Sequence, residues 1–326
     1  MKRYLVSTIC AVSLCVMMLP GAAAGTARAA QPAAMKQLTI LLSVPALKFP
    51  FFVYMEHFFQ QSAVTLGAEM HVKINVIVAD AQQSATKQTT DIEAAIAQKV
   101  DGVVISPLTK DSLVPAIKEV AKAGIPLVTI DRETAAGATL AHVGADNVLG
   151  GVAEGNFVAK ALHGKGNVIL LEGTPGASPA IDRTKGIKAA LSTYHNIHIV
   201  FDQTANFDRA TAITVIEAAT GSVKHFDAVI CENDDMALGA ITALEGKGML
   251  HKVVVTGYDA INDALSAIKA GKLAATIEQY PNRQDDVDLR ILLNYILHKV
   301  KPKQHDTFLT PIAISKANLR MAVVKK

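Results

Sequence analysis

"VDGVVISPLTKDSLVPAIKEVAKAGIPLVTID" (Val100–Asp131) and "FDAVICENDDMALGAITALEGKGMLHKVVVTGYD" (Phe226–Asp259) lie over one another and decide the fold. Each reads as an apolar residue, Asp, Gly or Ala, a short apolar strand, a polar loop, a helix, a glycine, a second strand and a closing Asp. The strands "GVVIS" and "PLVTID" are continuous apolar runs, not alternating ones. Parallel strands covered on both faces have that pattern. A unit of this kind occurring twice predicts two similarly built α/β lobes, each a doubly wound parallel sheet.

The alternation extends outward from both copies. Before the first come "QLTILLSV" as a strand, "FFVYMEHFFQQSAVTLG" as an amphipathic helix ended by Gly67, "VKINVIVAD" as a strand, and a helix over "SATKQTTDIEAAIAQK" with Ser84 as its N-cap. Gly67 and Gly124 read as C-caps. A second series starts near Val143, with strands "GNVILLE" and "IHIVFD" before the second copy. "AATIEQ" and the helix "NRQDDVDLRILLNYILHK" follow it.

The chain has 326 residues, half of them apolar, and no Trp. That suffices for two domains with a sizeable core each. Residues 1–29 read as a secretory signal peptide: Lys2 and Arg3, an apolar run from Leu5 to Leu19 too short to span a membrane stably, and Ala27-Arg28-Ala29 as a cleavage site. Of the 32 Lys and Arg, three (Lys2, Arg3, Arg28) fall in that segment, leaving 29 bases against 29 acids. A near-neutral mature chain does not look like a binder of nucleic acid or anionic lipid. Only Cys231 lies beyond the segment, so no intramolecular disulfide is expected.

In open parallel sheets, ligands bind outside the carboxyl ends of the strands. The residues placed there are Asp131-Arg132 after "PLVTI", Arg183 after "EGTPGASPAID", Phe207 in "DQTANFDR", Asn233 in "CENDD", Asp259 in "TGYD" and Gln279 in "IEQYP". "PALKFPFF" adds Phe51 and Phe52. Two acids, two Arg, two amides and several Phe suit a neutral, polyhydroxylated ligand. Each hydroxyl both donates and accepts, and apolar ring faces stack on Phe. Opposed Asp and Arg also lower the cost of burying each other's charge.

Other chemistries are less well served. There is no G-x-S-x-G for a serine nucleophile. "EGTPGAS" lacks both G-x-G-x-x-G and a P-loop Lys and reads as a turn. His195 and His198 read as a solvated loop pair, not metal ligands, and Cys231 as an inert core residue. Asp208 reads as an N-cap and Arg209 as a surface residue. No metal and no cofactor are expected.

At this point the sequence resembles a known family, the periplasmic sugar-binding proteins of ABC transporters, of the ribose-binding type. The resemblance covers about Gln37 to Ala322. It is carried by "PFFV" at 50–53, "TIDR" at 129–132, "DNVLGG" at 146–151, "NFDR" at 206–209, "ENDDMALGA" at 232–240 and "GKLAATIEQ" at 271–279. It implies two lobes joined by a three-strand hinge, with crossings near Ala145–Asn147, Gln279–Pro281 and Pro311–Ile314. The implied lobes are 36–145 plus 280–312 and 146–279 plus 313–326. It implies hydrogen bonds to sugar from Asp131, Arg132, Arg183, Asn233, Asp259 and Gln279, and ring stacking by Phe51, Phe52 and Phe207. It further implies a monomer in the periplasm that delivers a monosaccharide or polyol to membrane ABC permease subunits, with no catalysis.

One region departs from the pattern. Two Asn precede "PFF" in the ribose-binding type, one of them touching the sugar; here Lys48 and Phe49 stand there, after a loop longer by about two residues. Exchanging an amide for the Phe49 ring is expected to change which hydroxyls are tolerated. A ribose-like pentose, another aldose, a deoxy sugar or a polyol remain open. Two other classes stay in view. A sugar-responsive transcriptional regulator shares such a core but carries a helix-turn-helix where the signal peptide stands. A secreted carbohydrate-active enzyme would use Asp131 and Asp259 as its acid pair, although Arg132 is expected to keep Asp131 ionised.

Overall fold

Along β1 (Lys36–Val44) the buried side chains alternate between two apolar clusters. Leu38, Ile40 and Leu42 join α1 (Pro50–Glu69) and α9 (Pro281–His298) on one face. Leu41 joins α2 (Ala85–Ala97) and α3 (Val114–Lys122) on the other. The same division holds at β3 (Gly102–Ile105), where Val104 faces the first cluster and Val103 and Ile105 the second. Covering on both faces is why these strands are apolar throughout. The computed structural model describes residues 35–323, and the signal-peptide expectation lies outside them.

The first sheet is completed by β2 (Val72–Asp80), β4 (Leu127–Ile130), β5 (Ala141–Ala145) and β11 (Asp306–Leu309), in the order β11-β5-β4-β3-β1-β2. All its pairings are parallel. The second sheet contains β6 (Lys165–Glu172), β7 (Asn196–Thr204), β8 (Ala228–Cys231), β9 (Val254–Thr256), β10 (Ala275–Glu278) and β12 (Ile312–Ser315). Its order, β12-β10-β9-β8-β6-β7, repeats that of the first. One face carries α4 (Asn147–Ala161) and α5 (Ser178–Leu191). The other carries α6 (Arg209–Ser222), α7 (Asp234–Gly246) and α8 (Asn262–Lys269). The protein thus has two α/β lobes with parallel-sheet cores and nine α-helices among the described residues. Cys231 is fully buried in the second lobe as a free thiol, so the fold rests on apolar burial.

The chain passes between the sheets three times: from β5 to α4, from β10 to α9, and from β11 to β12 through Thr310 and Pro311. The last passage explains an exception to the parallel pattern, since β12 pairs antiparallel with β10. β11 runs toward the carboxyl ends of its sheet, so β12 enters the second sheet at that end and runs back. A second departure concerns Gly67. It does not end α1, which continues to Glu69 with Met70 as its cap. Gly67 is buried within the helix, where a Cβ would lie 2.8 Å from the Val72 carbonyl. Its role is to let β2 pass closely. Gly124, at φ 74°, does occupy the left-handed position after α3.

Candidate functional site

The short strand β4 is buried at every position, and its direction places the next residue at the carboxyl end of the sheet. There the backbone turns: Asp131 has φ 61°, and its N–H donates to Val143 O at 2.9 Å. A left-handed Asp is tolerated at some cost, and such strain tends to gather at working sites. Phe207 (φ 59°) and Asp259 (φ 114°) share the feature at other strand ends. These turns aim buried side chains into the space between the sheets.

Phe49, Phe51, Phe52, Asp131, Arg132, Arg183, Phe207, Asn233, Asp259 and Gln279 all line one cavity of about 310 Å³. The first five belong to the first lobe, at the start of α1 and the turn after β4, and the others to elements of the second. Pro179, in the first turn of α5, lines it too and was not singled out from the sequence. Its signal was only the proline in the turn that leads to Arg183.

Asp131 and Arg132 are both almost fully buried. Asp131 Oδ2 accepts from Ser106 Oγ at 3.4 Å and lies 3.8 Å from Arg132 Nε. Arg132 Nη1 donates to Leu108 O at 2.8 Å, while its Nε is buried without a partner. Phe52 and Phe207 lie 5.4 and 5.5 Å from the guanidinium carbon. Burial lowers the pKa of Arg132 to about 10, with Asp131 opposing the fall, so Arg132 stays charged at neutral pH. Burial also raises the pKa of Asp131; Arg132 and Arg183 pull it down but do not outweigh desolvation. Burial is the larger effect, so Asp131 lies above the ordinary aspartate value, with Arg132 and Arg183 still favouring its ionised form.

The second lobe supplies a tighter network. Arg183 Nε donates to Asn147 Oδ1 (2.9 Å), Nη1 to Glu232 O (2.6 Å) and Nη2 to Gln279 Oε1 (3.3 Å). Gln279 Nε2 donates to Asp259 Oδ1 at 2.6 Å, and that oxygen lies 3.8 Å from Arg183 Nη1. Burial pushes Asp259 well above the ordinary carboxylate range, with Arg183 opposing. Glu232, buried behind the site, is raised by burial to about 8 although Thr184 and Gly173 N–H both donate to it. Asn233 has a double role: its Oδ1 caps α7 by accepting from Met236 N–H, and its Nδ2 donates to Phe207 O at 3.1 Å. One amide hydrogen remains for a ligand.

The rings frame these polar groups. Phe51 and Phe52 meet edge to face at 5.4 Å. Phe207 packs over Gly173, where a Cβ would lie 2.0 Å from the ring. Phe49 is buried at the start of α1, and its neighbour Lys48, whose Nζ lies 5.1 Å from the Phe49 ring centroid, pairs with Asp208. Asp208 also caps α6, and Ser84 caps α2, as expected. Arg209 is a surface residue, its side chain 42% exposed, and it pairs with Asp235 at 2.7 Å. His195 and His198 are exposed, and among the described residues no group of three His, Cys, Asp or Glu could hold a metal ion.

Residues 40–299 match the periplasmic binding protein domain. The chain belongs to that family. Curated relatives include the ribose import binding protein of Bacillus subtilis, 38% identical over 251 residues (76% of this chain and 77% of that one). Another is the xylitol-binding protein of Mycolicibacterium smegmatis, 30% identical over 261 residues (79% and 74%). Among solved structures, the Caulobacter myo-inositol binding protein bound to myo-inositol superposes with a TM-score of 0.81 at 35% identity, covering 88% of this chain and 96% of that one. Each of these three is named for a small, neutral, polyhydroxylated molecule.

Proposed function

We propose that the cavity binds one neutral monosaccharide or polyol and that the ten residues predicted to line it make the contacts. The observation that carries this reading is the pair Asp131–Arg132. Arg132 Nε is a buried donor without an acceptor, and Asp131 Oδ2 is 3.8 Å away, too far to serve it. A ligand hydroxyl between them accepts from the guanidinium and donates to the carboxylate, serving both. On the other lobe Asp259, Gln279, Arg183 and Asn233 offer the same alternation of acceptor and donor. Hydrogen bonds to charged groups contribute about 1.5–3 kcal/mol each, so the charged groups set affinity while Phe49, Phe51, Phe52 and Phe207 cover the ring's apolar faces.

The protein is a solute-binding component of an ABC transporter. It carries its sugar or polyol to the membrane permease, works in the periplasm, and makes or breaks no bond. In our reading residues 1–29 are removed on export and the mature chain acts as a monomer. The lobes are 36–145 plus 280–312 and 146–279 plus 313–326, and they hinge at the three passages between the sheets. Ligand contacts from both lobes exist only when these are closed, so binding shifts the population toward that state. Direct contacts between the lobes support the reading: Lys110 N–H donates to Gly176 O at 2.9 Å, and Glu133 N–H to Ser178 Oγ at 2.8 Å.

A thermal-shift screen over pentoses, hexoses and polyols, followed by calorimetric titration of the hits, tests the proposal, because a ligand that binds only the folded state raises the midpoint. Asp131→Ala and Arg132→Ala should each weaken the best hit by at least about tenfold, or 1.4 kcal/mol, with the fold retained. Wild-type affinity in both variants would remove these residues from the site. Sugar recovered chemically altered after incubation would overturn the carrier reading.

A further inference from the structure

Arg183 is held by three acceptors, but all of them lie at the edge of its guanidinium plane, as hydrogen-bond acceptors must. What supports the flat face is Tyr258, whose ring centroid lies 3.6 Å from the guanidinium carbon. Tyr258 is completely buried and does not line the cavity. It immediately precedes Asp259, so one turn of chain delivers both the acid facing the ligand and the ring beneath the base. Its hydroxyl has no hydrogen-bond partner among the described residues, so the hydroxyl is not what holds it there. Room for the ring comes from Gly150 in α4, where a Cβ would lie 2.1 Å from Tyr258 Oη and 2.8 Å from two ring carbons.

Resting on the sugar-binding reading above, we propose that Tyr258 is a positioning residue for ligand binding. Its π face fixes the plane of Arg183 so that the guanidinium edge meets the ligand, and Gly150 sets where that ring lies. The attraction of a buried guanidinium to an aromatic face is large because both are desolvated. Three hydrogen bonds hold the guanidinium within its plane, and the ring 3.6 Å from its carbon resists displacement out of that plane. Burial pulls the Arg183 pKa down, but Tyr258, Asp259, Asp131 and Glu232 together outweigh it, so the group stacked on Tyr258 is a cation.

The experiment titrates D-ribose, xylitol and myo-inositol into the full chain and follows the tightest of them through Tyr258→Phe, Tyr258→Met, Arg183→Gln and the double variant Arg183→Gln/Tyr258→Met. Met keeps apolar volume but has no π face. Tyr258→Phe should stay within about threefold of wild type, and Tyr258→Met should bind about tenfold more weakly. In the Arg183→Gln background the Met exchange should add less than about twofold, because residues that act through one another are not additive. Equal loss with and without Arg183 would show that Tyr258 is only packing and overturn the proposal; so would a tenfold loss in Tyr258→Phe, which keeps the ring. Should Tyr258→Met not fold, Gly150→Ala displaces the ring instead. It should lower affinity in the Arg183 protein and not in Arg183→Gln, and equal loss in both again overturns the proposal. Wild-type protein that binds none of the three probes while a wider sugar screen is also blank refutes the sugar reading itself. Wild-type binding with additive losses refutes Tyr258 alone.

Discussion

Lys48 Nζ lies 2.9 Å from Asp208 Oδ2, an ion pair between residues 160 positions apart that ties the rim of the first lobe to the rim of the second. Lys48 occupies part of the stretch where the sequence departs from the ribose-binding pattern. The departure therefore does two separate things: Phe49 lines the cavity, and Lys48 bridges it from outside. Half of the Lys48 side chain is exposed, so the pair is screened by water and salt. Exposed pairs contribute about 0.2–1 kcal/mol. Lys48→Met should weaken ligand binding by no more than about fivefold at low ionic strength. The difference from wild type should vanish at high salt. Asp208→Ala should do more damage, because Asp208 also accepts from Thr211 N–H at the start of α6. A Lys48→Met loss that persists in high salt would show that the lysine acts by something other than this pair.

Phe207 depends on a residue that touches no ligand. Its ring lies where a Cβ on Gly173 would stand, 2.0 Å from Cζ and 2.2 Å from Cε1. No side-chain adjustment of Gly173→Ala can relieve that overlap, so the ring has to move. It would then leave both Arg132 and Arg183, which it now meets at 5.5 and 5.8 Å. Calorimetry on Gly173→Ala should report at least about tenfold weaker binding, with the circular dichroism spectrum of the wild type. Undiminished affinity would mean that the Phe207 ring is not part of the binding surface.

The strand ends were readable in the sequence because a parallel sheet announces itself by continuous apolar runs, and its carboxyl ends then locate themselves. Asp131 and Asp259 stand out as the first charges after such runs, and the repeat of one unit in two places puts them at equivalent strand ends, which the structure brings to one cavity. Gly67 misled, because a glycine near a helix end reads the same whether it stops the helix or admits a neighbour. Asp285 and Asp288 were hidden for the opposite reason. In "NRQDDVDLRILLNY" they share a face with Leu289 and Leu292 at helical spacing, yet an acid is normally assigned to solvent. Pro179 and Tyr258 were missed because their positions depend on how α4 and α5 approach the second sheet, which no local pattern encodes.

Phe49 is the residue most open to a test of specificity. It is buried in the cavity wall where the ribose-binding pattern places an amide. An aromatic ring covers a C–H face and rejects a hydroxyl that would be left without a partner, and such polar mismatches discriminate strongly. Phe49→Asn should change the order in which pentoses, deoxy sugars and polyols bind, favouring those with an added hydroxyl at that edge. The check is the same panel titrated into both proteins. An identical ranking would show that Phe49 only packs the start of α1.

The last prediction concerns stability. Asp285 and Asp288 lie on the buried face of α9, and none of their four carboxyl oxygens has a hydrogen-bond partner among the described residues. Burial raises both pKa values well above the ordinary range, and Asp288 raises Asp285 further. The folded state therefore holds protons that the unfolded chain releases near pH 4. The unfolded state binds fewer protons above that point, so stability falls as pH rises from about 4 toward the raised folded-state values and levels off beyond them. Asp285→Asn removes one of these groups from the titration and offers an amide donor one turn from Asp288. It should raise the free energy of unfolding near pH 7 by about 1–3 kcal/mol, the cost of one buried unsatisfied group. It should have little effect near pH 4, where the carboxyl is neutral in the fold. Denaturant melts of both proteins across that range would decide it. A variant less stable than wild type at pH 7, or a gain that does not grow with pH, would mean that Asp285 has a partner in solution.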